Sequence, residues 1–169
     1  IQQTIEAANN IAKVIDKDEY AGLAPADLMA RDILDLNLYH PWSITLEQAL
    51  ETALTTEQYA REYSSKITNS DGASLASGYN YSLLANSRGF IGAFPVSRHM
   101  LSCTVIAQDD QGMERNGDFT VSREAATLES PEMIGKSAAD HALSRLSARK
   151  IKTCQAPVLF HHDISKDLI

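Results

Sequence analysis

Two histidines and an aspartate near the end of the sequence are the residues best suited to bind a metal. His161, His162 and Asp163 follow Val158 to Phe160, whose apolar character predicts a short buried strand. Imidazole and carboxylate groups are zinc ligands, but adjacent histidines point to opposite faces of a strand and diverge by about 100° on a helix. Asp163 is at least as well explained as the N-cap of a following helix. We therefore expect His161 and His162 to hold no metal.

A second group with possible chemistry surrounds His99 in the stretch SRHMLSC. Serine and cysteine nucleophiles need a histidine base within hydrogen-bond reach, and Ser97, Ser102 and Cys103 lie close in sequence. On a strand, Ser102 lies on the face opposite to Ser97 and His99. Leu101 and Cys103 share the face of Ser97. Proximity along one strand is not the convergence of separate elements that a catalytic triad needs, so the pattern favours a polar strand end followed by core.

The other histidines and a glycine-containing stretch have structural explanations. His40 precedes Pro41 and Trp42, and we expect it to lie in a loop and pack on the indole. His141 lies one step from the apolar stripe of a predicted helix and belongs to its flank. The stretch SDGASLASG lacks the frame of a phosphate-binding loop and is not followed by a helix. The residues alone therefore predict no catalytic, cofactor-binding or metal-binding position in this chain.

Composition limits the classes of function. The chain has 169 residues, a net charge of -7, 44% hydrophobic and 22% charged residues, which is typical of a folded domain. The acidic balance argues against a nucleic-acid partner, because phosphate contact needs a positive surface. Cys103 and Cys154 have no CxxC spacing and predict reduced thiols, and no apolar run reaches about 20 residues, so we expect no membrane partner and a cytoplasmic location. The chain starts without Met inside a helical pattern and stops within a predicted helix, which predicts a piece of a longer protein.

Apolar spacing places a helix at each side of an irregular connection in the first third of the chain. Residues 1 to about 16 have helical periodicity, residues 16–41 do not, and Thr45 with Gln48 forms a capping box for a helix that ends near Tyr63. The predicted apolar face of this second helix comprises Leu46, Ala49, Leu50, Ala53, Leu54 and Ala60.

From residue 67 to 122 the period changes to two, which predicts an antiparallel meander. ANSRGF and QDDQG supply the turns, with Asn86 and Gly89 suited to positive φ, and the apolar run Met100 to Ala107 predicts the central strand. In the strand after the second turn, Met113, Arg115, Gly117, Phe119 and Val121 alternate with polar residues, as in a strand with one solvent-exposed face.

The last third predicts a helix, a strand and the start of another helix. Ser130 is the expected N-cap and Pro131 the first helical residue, and Ile134, Ala138, Ala142 and Leu146 line the expected buried side. The predicted fold class is therefore α+β, with helices flanking a mainly antiparallel sheet. We expect a helical part over residues 1–66, the meander over 67–125, and helix, strand and the start of a β-rich domain over 126–169.

Several segments in this order resemble the PmbA (TldE) branch of the TldD/PmbA metallopeptidase family, once described as modulators of DNA gyrase. The segments are LYHPW, ITNSDG, ANSRG, SRHMLSC and LSARK followed by PVLF, and the resemblance covers the chain from about Leu36 onward. It implies a longer chain, with an N-terminal α/β domain and the start of a β-rich C-terminal domain.

The resemblance also implies a function. It implies a cytoplasmic heteromeric protease that acts on unfolded peptides, peptide-antibiotic precursors and antitoxins. In that complex a TldD subunit carries zinc on an H-E-x-x-x-H helix, and the PmbA branch lacks this motif. The matching place lies at or after Asp167 to Ile169, so no zinc ligand is transferred to any residue present here.

Three functions follow as hypotheses. The first is a scaffold-type subunit of a zinc metallopeptidase complex, enzymatic at the level of the complex and not alone. The second is an active metallopeptidase whose zinc helix lies beyond residue 169. The third is a regulator of gyrase or antitoxin systems without hydrolytic activity.

Overall fold

The computed structural model describes residues 1–165 and 167, and for residues 162 and 163 it describes the backbone alone. The helices are α1 (Gln2–Ala12), α2 (Leu46–Glu62), α3 (Pro131–Ser144) and α4 (His162–Ser165), with a 3-10 turn at Ala125–Thr127. The strands are β1 (Ile67–Ala85), β2 (Ile91–Asp109) and β3 (Gly112–Ser122), and they form one open sheet in the order β1-β2-β3. The predicted α+β class is confirmed. Among helices of the described residues, none is both long and apolar enough to cross a membrane.

Two compact units divide the chain. The first contains residues 1–38 and 80–96, and the second contains residues 39–79 and the chain from residue 97 onward. In the first unit the β1–β2 turn is built as predicted around Gly89, which has a φ of 84°. Asn86 does not adopt the positive φ that was expected for it, because its side-chain oxygen instead accepts hydrogen bonds from the backbone N–H groups of Arg88 and Phe90.

The core of the second unit lies between the sheet and two helices, since α3 packs on both α2 and β3. From β2 it takes Leu101, Cys103, Val105 and Ala107, and from α3 it takes Ile134, Ala138, Ala139 and Ala142. The cap of α3 is as predicted, because the Ser130 hydroxyl accepts from the N–H of Met133 at 3.2 Å. Of the expected buried stripe of α3, Leu146 is only partly buried.

The buried face of α2 differs from the prediction. The capping box of Thr45 and Gln48 is present in both directions, but Leu46, Leu50 and Leu54 are more than half exposed. The fully buried residues of α2 are Thr56 and Ala60. A β-carbon on Gly135 of α3 would lie 2.4 Å from the Thr56 carbonyl oxygen. Such a close approach of two helix backbones needs small residues, so the leucines are turned away from the contact.

The alternation of β3 is confirmed, but its apolar residues are the ones that face solvent. Phe119 is 50% and Val121 44% exposed, whereas Thr120 is 9% exposed and lies opposite Leu101 in the β2–β3 register. The inward polar groups have partners, because the Thr120 hydroxyl accepts from the N–H of Glu129 and the Asn116 amide donates to the His141 carbonyl in α3. Hydrogen bonds to the covering chain thus allow a polar strand face to be buried.

The strand predicted at Val158 to Phe160 is wrong. Residues 151–160 are exposed and have no regular secondary structure, and Leu159 is 97% exposed. A strand is stabilised only by pairing with a neighbour, and apolar sequence alone does not supply one.

Candidate functional site

The N-terminal end of the buried face of β2 carries a fully buried histidine. The ring of His99 is 0% exposed, with Nε2 at 3.0 Å from the carbonyl oxygen of His40 and Nδ1 at 2.9 Å from Oγ of Ser77. A carbonyl only accepts, so Nε2 carries a proton and donates to His40, and Nδ1 forms the hydrogen bond with the Ser77 hydroxyl. The indole of Trp42 lies edge-on to this ring, with 5.4 Å between ring centroids. His99 thus contacts one short stretch of chain in two ways, through the backbone carbonyl of His40 and through the side chain of Trp42.

Ser97 and Tyr79 hold the same stretch, residues 39–42, which we call the Tyr39–Trp42 segment. The Ser97 hydroxyl, fully buried, accepts from the His40 N–H at 2.8 Å and donates to the Arg123 carbonyl at 2.6 Å. The Tyr79 hydroxyl accepts from the Trp42 N–H at 2.8 Å and donates to the Trp42 carbonyl at 3.0 Å. Three side chains from two strands therefore bind the backbone groups of His40 and Trp42.

The two ring nitrogens of His99 contact the His40 carbonyl and the Ser77 hydroxyl and not the candidate nucleophiles Ser97, Ser102 or Cys103. The Ser97 hydroxyl donates to the Arg123 carbonyl. Ser102 lies on the opposite face of β2. For Cys103, burial, with a smaller contribution from Glu57, raises the pKa of the thiol to about 11, so the reactive thiolate is disfavoured. The core that follows His99 is as expected, but Ser97 and His99 are buried within β2, which begins at Ile91, and do not form a strand end.

The C-terminal residues do not assemble a described metal site. His161 is exposed, and the side chains of His162 and Asp163 lie outside the described part of the chain. The helix begins at His162, and the N–H groups of Ile164 and Ser165 donate to the His161 carbonyl, so the predicted N-cap role of Asp163 is wrong. The place predicted for a zinc helix begins at Asp167 to Ile169, and residues 168 and 169 lie outside the described part of the chain.

The remaining predicted positions are structural. His141 is half-buried on the flank of α3, as expected, and its Nδ1 lies 3.3 Å from the Gly117 carbonyl oxygen. The stretch SDGASLASG is part of β1, and Gly72 within it has a φ of 100°. Within the described residues, no three His, Cys, Asp or Glu side chains come together in a way that could hold a metal ion. The described side chains therefore do not fit a zinc ion.

Sequence reasoning missed the contact between β2 and the Tyr39–Trp42 segment. Ser97 and His40 are 57 residues apart in the sequence, and His99 and His40 are 59 residues apart. A signal was present in the pattern, because Ser97 and His99 occupy the same strand face as the core residue Leu101. Polar residues on a core face need partners, and the loop containing Trp42 was the aromatic segment available to supply them.

Comparison with known proteins gives a family and a fold. The sequence profile described as PmbA/TldA metallopeptidase central domain matches residues 39–146. The chain is 38% identical over 168 residues to the metalloprotease PmbA of Escherichia coli O157:H7, covering 99% of this chain and 37% of that protein. It is 39% identical over 169 residues to a PmbA homologue of Haemophilus influenzae, covering 100% of this chain and 38% of that protein. The chain thus spans under two fifths of the length of these relatives.

Two crystal structures described as modulators of DNA gyrase share the fold. The protein from Bacteroides thetaiotaomicron superposes with a TM-score of 0.76 at 21% identity, covering 89% of this chain and 35% of that one. The protein from Thermotoga maritima gives a TM-score of 0.67 at 16% identity, covering 89% and 33%. At these identities the likeness establishes the fold alone.

Proposed function

Because this chain belongs to the PmbA branch of the TldD/PmbA metallopeptidase family, we propose that it serves in a zinc metallopeptidase complex as a subunit without zinc ligands of its own. Its relatives of known name are metalloproteases, and its described residues offer no set of side chains that fits a zinc ion. The catalytic zinc then belongs to a TldD-like partner subunit, and the substrates are unfolded peptides.

The observation that carries the role in peptide handling is the open edge of the sheet. β1 extends over 19 residues and has β2 as its neighbour on one side, so it is an edge strand of the described sheet. An edge strand presents backbone N–H and C=O groups to which an extended peptide can pair with little sequence specificity. Residues 76–79 of β1 are exposed, so a peptide can approach this part of the strand.

Backbone methylation of a substrate peptide tests pairing with β1. Residues of an added strand alternate between N–H groups that face the sheet edge and N–H groups that face away. N-methylation at one set of alternate positions should therefore abolish binding, and methylation of the other set should leave it nearly unchanged. The two peptides have the same side chains and the same number of methyl groups. Equal loss with both peptides, or with neither, would contradict pairing through β1.

A cleavage assay tests which of the two subunits carries the catalytic activity. The full-length natural protein that contains this chain, a TldD-like partner and a mixture of both are each loaded with zinc and given an unfolded peptide. We expect zinc-dependent cleavage by the mixture and none by the chain's own protein. Cleavage by that protein alone would identify an active metallopeptidase. Absence of cleavage from every sample, including the mixture, would favour a regulator without hydrolytic activity.

A further inference from the structure

A cleft with two rigid walls adjoins the Tyr39–Trp42 segment. Its volume is about 580 Å³, and its lining comprises Tyr39, His40, Pro41, Trp42, Glu124, Ala125 and Ala126. One wall is the Tyr39–Trp42 segment itself, and the other is the start of the 3-10 turn that follows β3. This volume is in the range of clefts that bind small ligands or single side chains with part of their backbone.

Hydrogen bonds of backbone groups hold the two walls of the cleft. Ser97 joins them, because its hydroxyl accepts from the His40 N–H and donates to the Arg123 carbonyl. The second wall is closed on itself by the Thr127 hydroxyl, which donates to the Glu124 carbonyl at 2.8 Å. A cleft with such fixed walls loses little conformational freedom when a ligand binds.

The lining favours a cation. The lining includes the aromatic residues Tyr39 and Trp42 and the exposed acidic residue Glu124, whereas no lysine or arginine of the described chain lines the cleft. Aromatic faces attract ammonium and guanidinium groups, Trp most strongly, and a carboxylate can receive two parallel hydrogen bonds from a guanidinium. The combination fits an arginine side chain better than an acidic or a neutral one.

A second cleft, of about 460 Å³, also has Trp42 in its lining. Its other lining residues are Ile44, Gln48, Glu51, Thr52, Thr55 and Pro131, so it again contains a carboxylate and no basic side chain. Trp42 thus lines two clefts that each contain a glutamate, which suits a ligand larger than one side chain, such as a peptide.

We propose that the cleft between the Tyr39–Trp42 segment and Glu124 binds the guanidinium group of an arginine side chain presented by a peptide. Glu124 pairs with the guanidinium, and the rings of Tyr39 and Trp42 contact its plane and its methylene stem. The site does not depend on the proposed peptidase role, since binding is a property of this chain alone.

Tryptophan fluorescence reports directly on this cleft, because Trp42 is the only tryptophan in the sequence. The chain is titrated with acetyl-Gly-Arg-Gly-amide, with the same peptide containing citrulline, which is uncharged but similar in shape, and with butylguanidinium. We expect the arginine peptide to change the fluorescence of Trp42 in a saturable way. The citrulline peptide should bind about tenfold or more weakly than the arginine peptide. Butylguanidinium should also bind more weakly than the arginine peptide, because it has no peptide backbone. Calorimetry on the same solutions supplies a second measure of each dissociation constant.

Glu124→Gln should weaken binding of the arginine peptide by about tenfold. The matched variant Glu129→Gln should bind this peptide as tightly as the natural sequence does. Both glutamates are exposed, so neither substitution threatens folding. An absence of saturable binding, equal binding of citrulline, or an unchanged affinity in Glu124→Gln would each overturn the proposal. Butylguanidinium that binds as tightly as the peptide would overturn its peptide part. None of these outcomes bears on zinc-dependent cleavage, so failure here is distinguishable from failure of the proposed function.

Discussion

The two halves of the buried face of β2 are equally buried but are stabilised differently. From Leu101 to Ala107 the inward side chains are apolar and pack in the core with those of α3. At Ser97 and His99 the inward side chains are polar, and each binds the backbone of the Tyr39–Trp42 segment. Apolar packing requires only shape and volume, whereas each buried polar group requires a defined partner. The polar half therefore specifies where one particular stretch of chain must lie.

The largest effect is expected in the apolar half. Leu101 is 2% exposed, and Leu101→Ala should lower the free energy of unfolding by about 3–4 kcal/mol, because it removes buried methyl groups and leaves a cavity. Urea unfolding followed by circular dichroism measures this change. The emission maximum of Trp42 in the folded variant should stay unchanged, since Leu101 does not bind the Tyr39–Trp42 segment. A shifted maximum would show that the two halves are not independent.

His99→Ala should lower the free energy of unfolding somewhat less than Leu101→Ala, and it should also change the emission of Trp42. The loss should be about 2–3 kcal/mol, because the His40 carbonyl and the Ser77 hydroxyl lose their partner. The indole of Trp42 loses its edge-on neighbour, so its emission maximum should move to longer wavelength in the folded variant. If Leu101→Ala shifted the emission and His99→Ala did not, the division between the halves would be wrong.

Ser97 gives a sharper test because its neighbour Ser102 is a matched control on the opposite face of the same strand. Ser97→Ala should destabilise by about 1–2 kcal/mol, since it leaves the His40 N–H and the Arg123 carbonyl without this hydroxyl. Ser102→Ala should change the stability by less than about 0.5 kcal/mol. Both values come from the midpoints of urea unfolding. Equal effects would mean that the hydrogen bonds of Ser97 contribute nothing specific.

Cys103 contributes an effect that depends on pH. Burial raises the pKa of its thiol from 9.0 to about 11, so its contribution to stability is present below pH 9 and is lost as pH rises to about 11, where the unfolded thiol ionises first. The difference in unfolding free energy between the natural chain and Cys103→Ala should fall across this window. A constant difference from pH 8 to 11 would contradict the raised pKa.

The other cysteine makes the burial of Cys103 directly visible. Cys154 is exposed, so at pH 8 a thiol reagent should label it rapidly and label Cys103 only after unfolding. Cys154→Ser should then remove the rapid phase. Rapid labelling that persists in Cys154→Ser would place Cys103 at the surface.

Local patterns were sufficient to predict the elements of the fold. The capping box of Thr45 and Gln48, the Ser130 cap and the period-two meander each follow from interactions within a few residues of sequence. From these patterns we predicted the α+β class and the central position of β2. The resemblance of the quoted segments identified the family.

Most of the errors concern contacts between distant parts of the chain, whereas the φ expected for Asn86 and the cap expected at Asp163 were errors about local structure. The leucines of α2 were assigned to the core, but the small residue Gly135 lets α3 approach the Thr56 backbone and turns them away. The faces of β3 depended on partners for Asn116 and Thr120 that α3 and the preceding loop supply. The partner of His99 is the His40 carbonyl, 59 residues away, and no spacing rule reaches that far.

Hydrogen exchange of the full-length protein tests the proposed function most directly, namely that an unfolded peptide pairs with β1 when a TldD-like partner is present. Exchange is measured with the protein alone, with a TldD-like partner, and with partner and an unfolded peptide. We expect amides in residues 76–79 of β1 to become protected in the presence of partner and peptide, while amides in the exposed segment 151–157 exchange as before. Unchanged exchange throughout the meander in all three samples would contradict it.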